Sequence, residues 1–191
     1  MQPAAFDVII VGGGPAGLSA ALILGRARRR VLLCDAGRPR NAAVPAMHGF
    51  LSRDGLDPAE LRLIARDQLT RYPQVQVIDA EVVSARRTEQ RFGITTGDGS
   101  RHQARKLLLA TGVVDELPPI PGLAELWGHA AFNCPYCDGW EHRDQRLAVL
   151  GRAESLLLAL QLSNWTSDLV LATDGPADLD RLARPRRAHP R

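Results

Sequence analysis

Residues 6–17 read FDVIIVGGGPAG, and residues 31–35 read VLLCD. The first stretch is an apolar strand, Phe6 to Val11, running into Gly12, Gly14 and Gly17 at the spacing G-x-G-x-x-G. A helical segment follows to about Arg29, and a second apolar strand, Arg30 to Cys34, closes on Asp35. Each glycine has a separate task in such a turn. Gly12 permits the tight bend, Gly14 lets the backbone approach a pyrophosphate, and Gly17 allows close helix–strand packing. The helix N-terminus supplies N–H groups to an anion, and Pro15 suits a helix start because an N–H there lacks an intrahelical partner. An acid about 20 residues beyond the glycines can hydrogen-bond a ribose, which is the place of Asp35. A lone glycine motif is weak. Strand before, helix after and acid at the right distance make this one a dinucleotide-binding βαβ unit.

Working outward, residues 36–57 form a loop rich in Gly, Pro and Arg. Asp57-Pro58-Ala59-Glu60 then predicts a helix start, with Asp57 as N-cap and Pro58 at its first position. That helix places Leu61, Ile64, Ala65 and Leu69 on one face and ends near Tyr72-Pro73. Strands are expected over 75–85, 92–96 and 106–110, with Gly97-Asp98-Gly99 as a turn. Leu117-Pro118-Pro119-Ile120-Pro121-Gly122 is the best linker. Beyond it come a short helix at 134–139, a strand at 147–150, a helix from 154 to about 164 and a strand at 169–172. A shift of 139 positions lays Gly12 on Gly151 and Asp35 on Asp174, so a second, degraded βαβ start is written here. Its middle and third glycines are Ala153 and Leu156. An acid at Asp174 favours a free 2′-hydroxyl, hence NADH over NADPH. The fold class is α/β, a doubly wound Rossmann-like domain followed by an incomplete second one.

Composition narrows the remaining classes. The chain has 191 residues, 45% hydrophobic and 24% charged, enough to offset the entropy of ordering. No apolar run reaches the ~18–20 residues of a spanning helix. Asp7 inside the first apolar run, with no basic lead, argues against a signal peptide, so an intracellular, cytoplasmic protein is expected. The net charge of +3 belongs to the last eleven residues, which hold five arginines and no acid and leave the first 180 at −2. No aromatic is interleaved there, so the tail is expected to be a solvated, flexible end with no nucleic-acid or membrane role.

Cys34 lies in an apolar strand, the setting of a small buried hydrophobe. Cys134-Pro135-Tyr136-Cys137 is different: one C-x-x-C without a secretory signal points to redox or metal chemistry. Two thiols three apart at a helix start can close a disulfide, and the helix dipole stabilises a thiolate. Asp138 follows directly and could shuttle a proton. Zinc is the rival, with His129, Cys134, Cys137 and His142 as a four-ligand set.

GGGPAG at 12–17, LLLATG at 107–112 and CPYCDG at 134–139 together resemble the thioredoxin-reductase family, FAD-dependent flavoproteins of the pyridine nucleotide–disulfide class. The resemblance spans roughly residues 6–175. It implies that 1–116 form the FAD-binding domain, without the family's C-terminal return segment. Residues 117–175 would then be a partial NAD(P)-binding domain carrying the redox pair, and 176–191 an Arg-rich tail, as in a C-terminally truncated member. It implies that Gly12, Gly13, Gly14, Pro15, Ala16, Gly17, Asp35 and Ala36 hold the ADP half of FAD, with Arg40, Asn41, Ala110, Thr111 and Gly112 nearby. Gly151 and Asp174 would serve NADH or NADPH. Cys137 would face the flavin, Cys134 would exchange with substrate, and Asp138 would be the acid/base; no metal is implied. The partner would be a thioredoxin-like protein disulfide or a small-molecule dithiol, and the assembly a homodimer. The CPYCDGWE stretch is also similar to flavin-dependent dithiol oxidases, which pass electrons to oxygen. An inactive fragment is the third reading.

Overall fold

The structure is a computed structural model and describes residues 6–152 and 155–173. The chain divides into two compact units, 1–129 and 130–191. This division falls beyond the linker expected at 117–122. A short turn of helix, α3 (Leu123–Leu126), intervenes, and Gly128 packs so closely on Ala43 that a Cβ there would lie 2.8 Å from the alanine methyl. Residues up to 129 therefore stay with the first unit.

In the first unit, β1 (Phe6–Val11), α1 (Pro15–Arg26), β2 (Val31–Asp35), α2 (Pro58–Leu69) and β3 (Val75–Asp79) are followed by β4 (Val82–Arg87), β5 (Phe92–Thr96) and β6 (Arg101–Leu109). The sheet order is β3-β2-β1-β6-β5-β4. The first four strands pair in parallel and the last three form an antiparallel meander. All five residues of β2 are buried, as expected of a parallel strand covered on both faces.

Alternation along the strands sends neighbouring residues to opposite faces. Ile10, Val31 and Leu33 pack with Leu18 and Ala21 of α1 and Leu69 of α2. Ile9, Leu32 and Cys34 pack on the other face with Ile94 and Ala104 from the meander. The expected face of α2 holds: Leu69 is buried and Leu61, Ile64 and Ala65 are half-buried, while Leu63 is exposed. Asp57 caps this helix, accepting from the N–H of Ala59 at 2.6 Å and of Glu60 at 3.2 Å.

Three expected boundaries shift. The helix predicted to reach Arg29 stops at Arg26, because Arg28 turns left-handed (φ +57) and the Arg28 and Arg29 N–H groups bond back to Gly25 and Leu24. The single strand expected over 75–85 is two strands. β3 lies at one edge beside β2 and β4 at the opposite edge beside β5, so the chain leaves one edge after Asp79. The last strand begins at Arg101 rather than 106; its first residues pair with β5 and its later ones with β1.

In the second unit, α4 (Pro135–Asp138), β7 (Leu147–Gly151), α5 (Leu156–Leu162) and β8 (Leu169–Thr173) follow, with β7 and β8 parallel. Val149, Ala159 and Leu162 form its small core. The expected βαβ start is present, with α5 ending at Leu162 rather than near 164. The Arg-rich tail and Asp174 lie outside the described residues.

Leu33 lies at the centre of the first core with 0% exposure. Leu33→Ala is expected to cost about 2–5 kcal/mol, read as a lowered urea midpoint with an unchanged denaturant slope.

Candidate dinucleotide site and redox disulfide

The C-terminal ends of β1, β2 and β6 lie side by side, and the glycine turn, Asp35 and Ala110 collect there. The register Val11↔Leu109 sets Ala110 beside Gly12. The Ala110 N–H donates to Val11 O at 2.8 Å, and the Gly12 N–H donates to Cys34 O at 2.8 Å. Gly12 has φ +111, and a Cβ on it would sit 2.1 Å from Ala110 O. A Cβ on Gly17 would fall 1.9 Å from Gly12 O, which is the close packing expected of the third glycine. Gly14, the N-cap of α1, differs: a Cβ there meets nothing within 4 Å. Pro15 and Ala16 are exposed beside it, and the first turn of α1 carries no acidic residue. The middle glycine thus faces open space at the positive end of a helix, which is what close approach of a pyrophosphate needs.

Asp35 ends β2 with 8% exposure. Its Oδ1 accepts from the Gly37 N–H at 3.0 Å, and its Oδ2 accepts from Arg66 of α2 at 2.8 Å. The same Arg66 nitrogen donates to Asp79 at 2.7 Å. Those hydrogen bonds, Asp79's foremost, raise the guanidinium's pKa further, so Arg66 remains charged. Beyond Asp35, a depression of about 210 Å³ is lined by Asp35, Ala36, Gly37, Asp79, Ala80 and Glu81. Arg38 pairs with Glu81 at its rim. Arg66 carries a role that motif reasoning missed, and Gly13, expected at the cofactor, also packs on Asp35. A Cβ on Gly13 would lie 2.3 Å from the Asp35 carboxyl carbon. Arg66 had no local signal, because its partners are 31 and 13 residues away.

Arg40, expected near the cofactor, is engaged by Asp115: Nε donates at 2.7 Å to one oxygen, and a second nitrogen donates to the other. The Arg40 hydrogen bond holds the Asp115 carboxyl below the usual range. This clasp is therefore intact above that range and is lost as pH falls through the lowered pKa. It joins the loop after β2 to the segment after β6. Asn41 is half-buried in that loop, and Thr111 and Gly112 are exposed at the end of β6.

In the second unit, Cys134 and Cys137 form a disulfide, with Cα atoms 5.3 Å apart. Cys134 is the N-cap of α4 and half-buried; Cys137 is exposed. The Cys137 and Asp138 N–H groups both donate to Cys134 O, at 3.1 and 3.2 Å. The helix is one turn of four residues, too short to lend the dipole that sequence reasoning assigned to it. Gly139 is buried, and a Cβ there would strike Pro135 O at 2.4 Å and the Trp165 ring at 3.0 Å. Tyr136 meets Trp165 edge-on at 5.5 Å and is 73% exposed; Asp138 is half-buried. Gly151 ends β7, and a Cβ on it would lie 1.9 Å from Ser155 Oγ.

The zinc set is not assembled. The two sulfurs are bonded to each other, His142 stacks on Phe132 at 4.9 Å, and no three metal-binding side chains cluster among the described residues. Cys34 is 1% exposed, and burial pushes its thiol up to about 11. Among the described residues no helix is long and apolar enough to cross a membrane.

A parallel sheet opening through a glycine turn into a helix N-terminus, with an acid closing the second strand, defines the Rossmann-like dinucleotide-binding class. The chain belongs to the pyridine nucleotide-disulphide oxidoreductase family, which matches residues 6–153. It is 40% identical over 177 residues to a protein of Arthroderma benhamiae named as a probable thioredoxin reductase, covering 89% of this chain and 44% of the relative. The thioredoxin reductase tcpT of Claviceps purpurea is 44% identical, over 85% of this chain and 52% of its own length. The crystal structure of an oxidoreductase from Agrobacterium tumefaciens superposes with a TM-score of 0.88 at 43% identity, over 94% of this chain and 61% of that one. The chain thus spans about half the length of the curated relatives it matches.

Two expectations follow. With mild reductant under native conditions, Cys134 and Cys137 are alkylated by iodoacetamide at about pH 8 and Cys34 only after unfolding, as peptide mass spectrometry would report. Gly14→Ala changes stability by less than about 1 kcal/mol, whereas Gly17→Ala costs at least ~1–3 kcal/mol, compared by thermal melts of the apoprotein.

Proposed function

We propose that this chain is an FAD-dependent disulfide oxidoreductase of the thioredoxin-reductase type, relaying electrons between a flavin and the Cys134/Cys137 pair. The observation that carries the reading is the closed, partly exposed Cys134–Cys137 disulfide in a chain whose first glycine turn is complete. FAD fits the first unit on the test of Gly14: glycine stands where a side chain would enter open space, while Gly12 and Gly17 of the same turn are pressed against backbone and Gly13 against the Asp35 carboxyl. The turn at Gly12 to Gly17 would receive the pyrophosphate. Asp35 would receive the ribose, and Ala110, Thr111 and Gly112 would line the same sheet edge. When bound, FAD supplies a two-electron donor and acceptor.

The chain's own residues account for the thiol half of the reaction. The reduced pair gives up two electrons and two protons on closing. In the reductive direction the Cys134 thiolate attacks one sulfur of a substrate disulfide. A mixed disulfide forms and one substrate thiolate leaves. The Cys137 thiolate then attacks Cys134 Sγ, which releases the second substrate thiolate and restores the intramolecular bond. Asp138, next to Cys137 in the same turn, would give or take the proton. A thioredoxin-like protein disulfide or a small-molecule dithiol would be the partner, NADH or NADPH the nucleotide, a homodimer the assembly and the cytoplasm the setting.

Purified chain incubated with FAD is expected to retain it through gel filtration and to be yellow. Anaerobic additions of NADH, NADPH and a dithiol then identify the electron partner by which one bleaches the visible band. Bleaching by dithiol alone, restored on admitting air, would favour the oxidase direction. Cys137→Ser should bind FAD normally yet fail to exchange electrons with dithiol. A colourless protein that takes up no FAD would overturn the proposal.

A further inference from the structure

We infer that Arg66 is the positioning residue of the dinucleotide site, holding Asp35 in the orientation that receives the ribose; this rests on the flavin reading above. Asp35 and Asp79 are direct cross-strand partners in the β2–β3 register. Two like charges so placed repel one another. A single Arg66 nitrogen lies between them, at 2.8 Å from Asp35 Oδ2 and 2.7 Å from Asp79 Oδ1. The Arg66 side chain is 30% exposed and that of Asp35 10%, whereas Asp79 is 80% exposed, so the bond to Asp35 is the one shielded in part from water.

The remaining contacts fix Asp35 from the other sides. The Gly37 N–H holds Oδ1, and Gly13 lies so near the carboxyl that no Cβ could be placed between them. Each carboxylate oxygen carries two acceptor positions, and these two hydrogen bonds use one apiece. One position per oxygen is left for hydroxyl donors arriving from the depression that Asp35, Asp79 and Glu81 line. Without Arg66, the two aspartates would stand uncompensated beside the path of a dianionic pyrophosphate. Asp35 would then be pushed off its bond to Gly37. Arg66 therefore orients the carboxylate and cancels the charge that would oppose the ligand.

The alternative is a staple that merely fastens α2 to the sheet edge. A double-mutant cycle on FAD affinity separates the two, read from quenching of flavin fluorescence with apoprotein melting temperatures alongside. Arg66→Met is expected to weaken FAD binding about tenfold. In an Asp35→Asn background it should add less than about threefold, because the carboxylate it positions is gone. Arg66→Lys, which keeps a charged donor there, should restore binding to within about threefold of wild type. If Arg66→Met leaves no folded protein, Arg66→Gln goes through the same cycle. An affinity unchanged by loss of Arg66, or an equal loss in both backgrounds, overturns this inference and leaves the flavin reading standing. Wild-type chain that binds no FAD overturns both.

Discussion

The rest of the first unit depends on how closely the backbone of α1 approaches the turn that precedes it. The carbonyl oxygen of Gly12 occupies the space a side chain on Gly17 would need, and Gly12 itself is bent into a conformation only glycine takes easily. That contact draws the start of α1 down onto the ends of the strands. The Gly12 N–H is thereby bonded to β2 and the Val11 carbonyl to the residue after β6. With three strand ends tied together, Asp35 and Ala110 flank the turn, and Gly14 is left facing outward. One extra methyl at Gly17 would push the helix away and disturb the edge on which the glycine turn, Asp35 and Ala110 of the first unit lie.

Charge is arranged around that edge by long-range pairs rather than by neighbours in sequence. Arg66 reaches from α2 to two strand ends, and Arg40 closes on Asp115 across a loop. Both bonds cross between elements, so they tie segments far apart in sequence to the ends of the strands. The cysteines show the same dependence on place. Cys34 sits in a fully buried strand, where burial disfavours the thiolate and leaves it inert. Cys134 and Cys137 sit at one partly exposed helical turn that brings their sulfurs together.

Much of this was readable in the amino-acid order because its signals are local. The Gly12–Gly17 turn, the Asp57 cap, the apolar run of β2 and the C-x-x-C pair each act within a few residues, so spacing alone reveals them. What escaped was non-local. No periodicity separates Val75–Asp79 from Val82–Arg87, since both are β-rich and adjacent; only their pairing with opposite edges of the sheet divides them. Arg66 carries no local signal, because its partners lie 31 and 13 residues away. Gly13, expected at the cofactor, gave no sign that it would also pack against Asp35, a contact 22 positions away that only the fold creates.

The sequence by itself determined the class of fold, the place of the glycine turn, the acid that closes β2 and the pair of thiols able to form a disulfide. These rest on backbone conformation, hydrogen-bond caps and short-range covalent geometry, all set within a turn or a strand. The tertiary structure decided which carboxylate is held, by which arginine, and which thiol is out of reach. Those outcomes depend on distances between residues tens of positions apart and on burial, which exist only once the sheet has assembled.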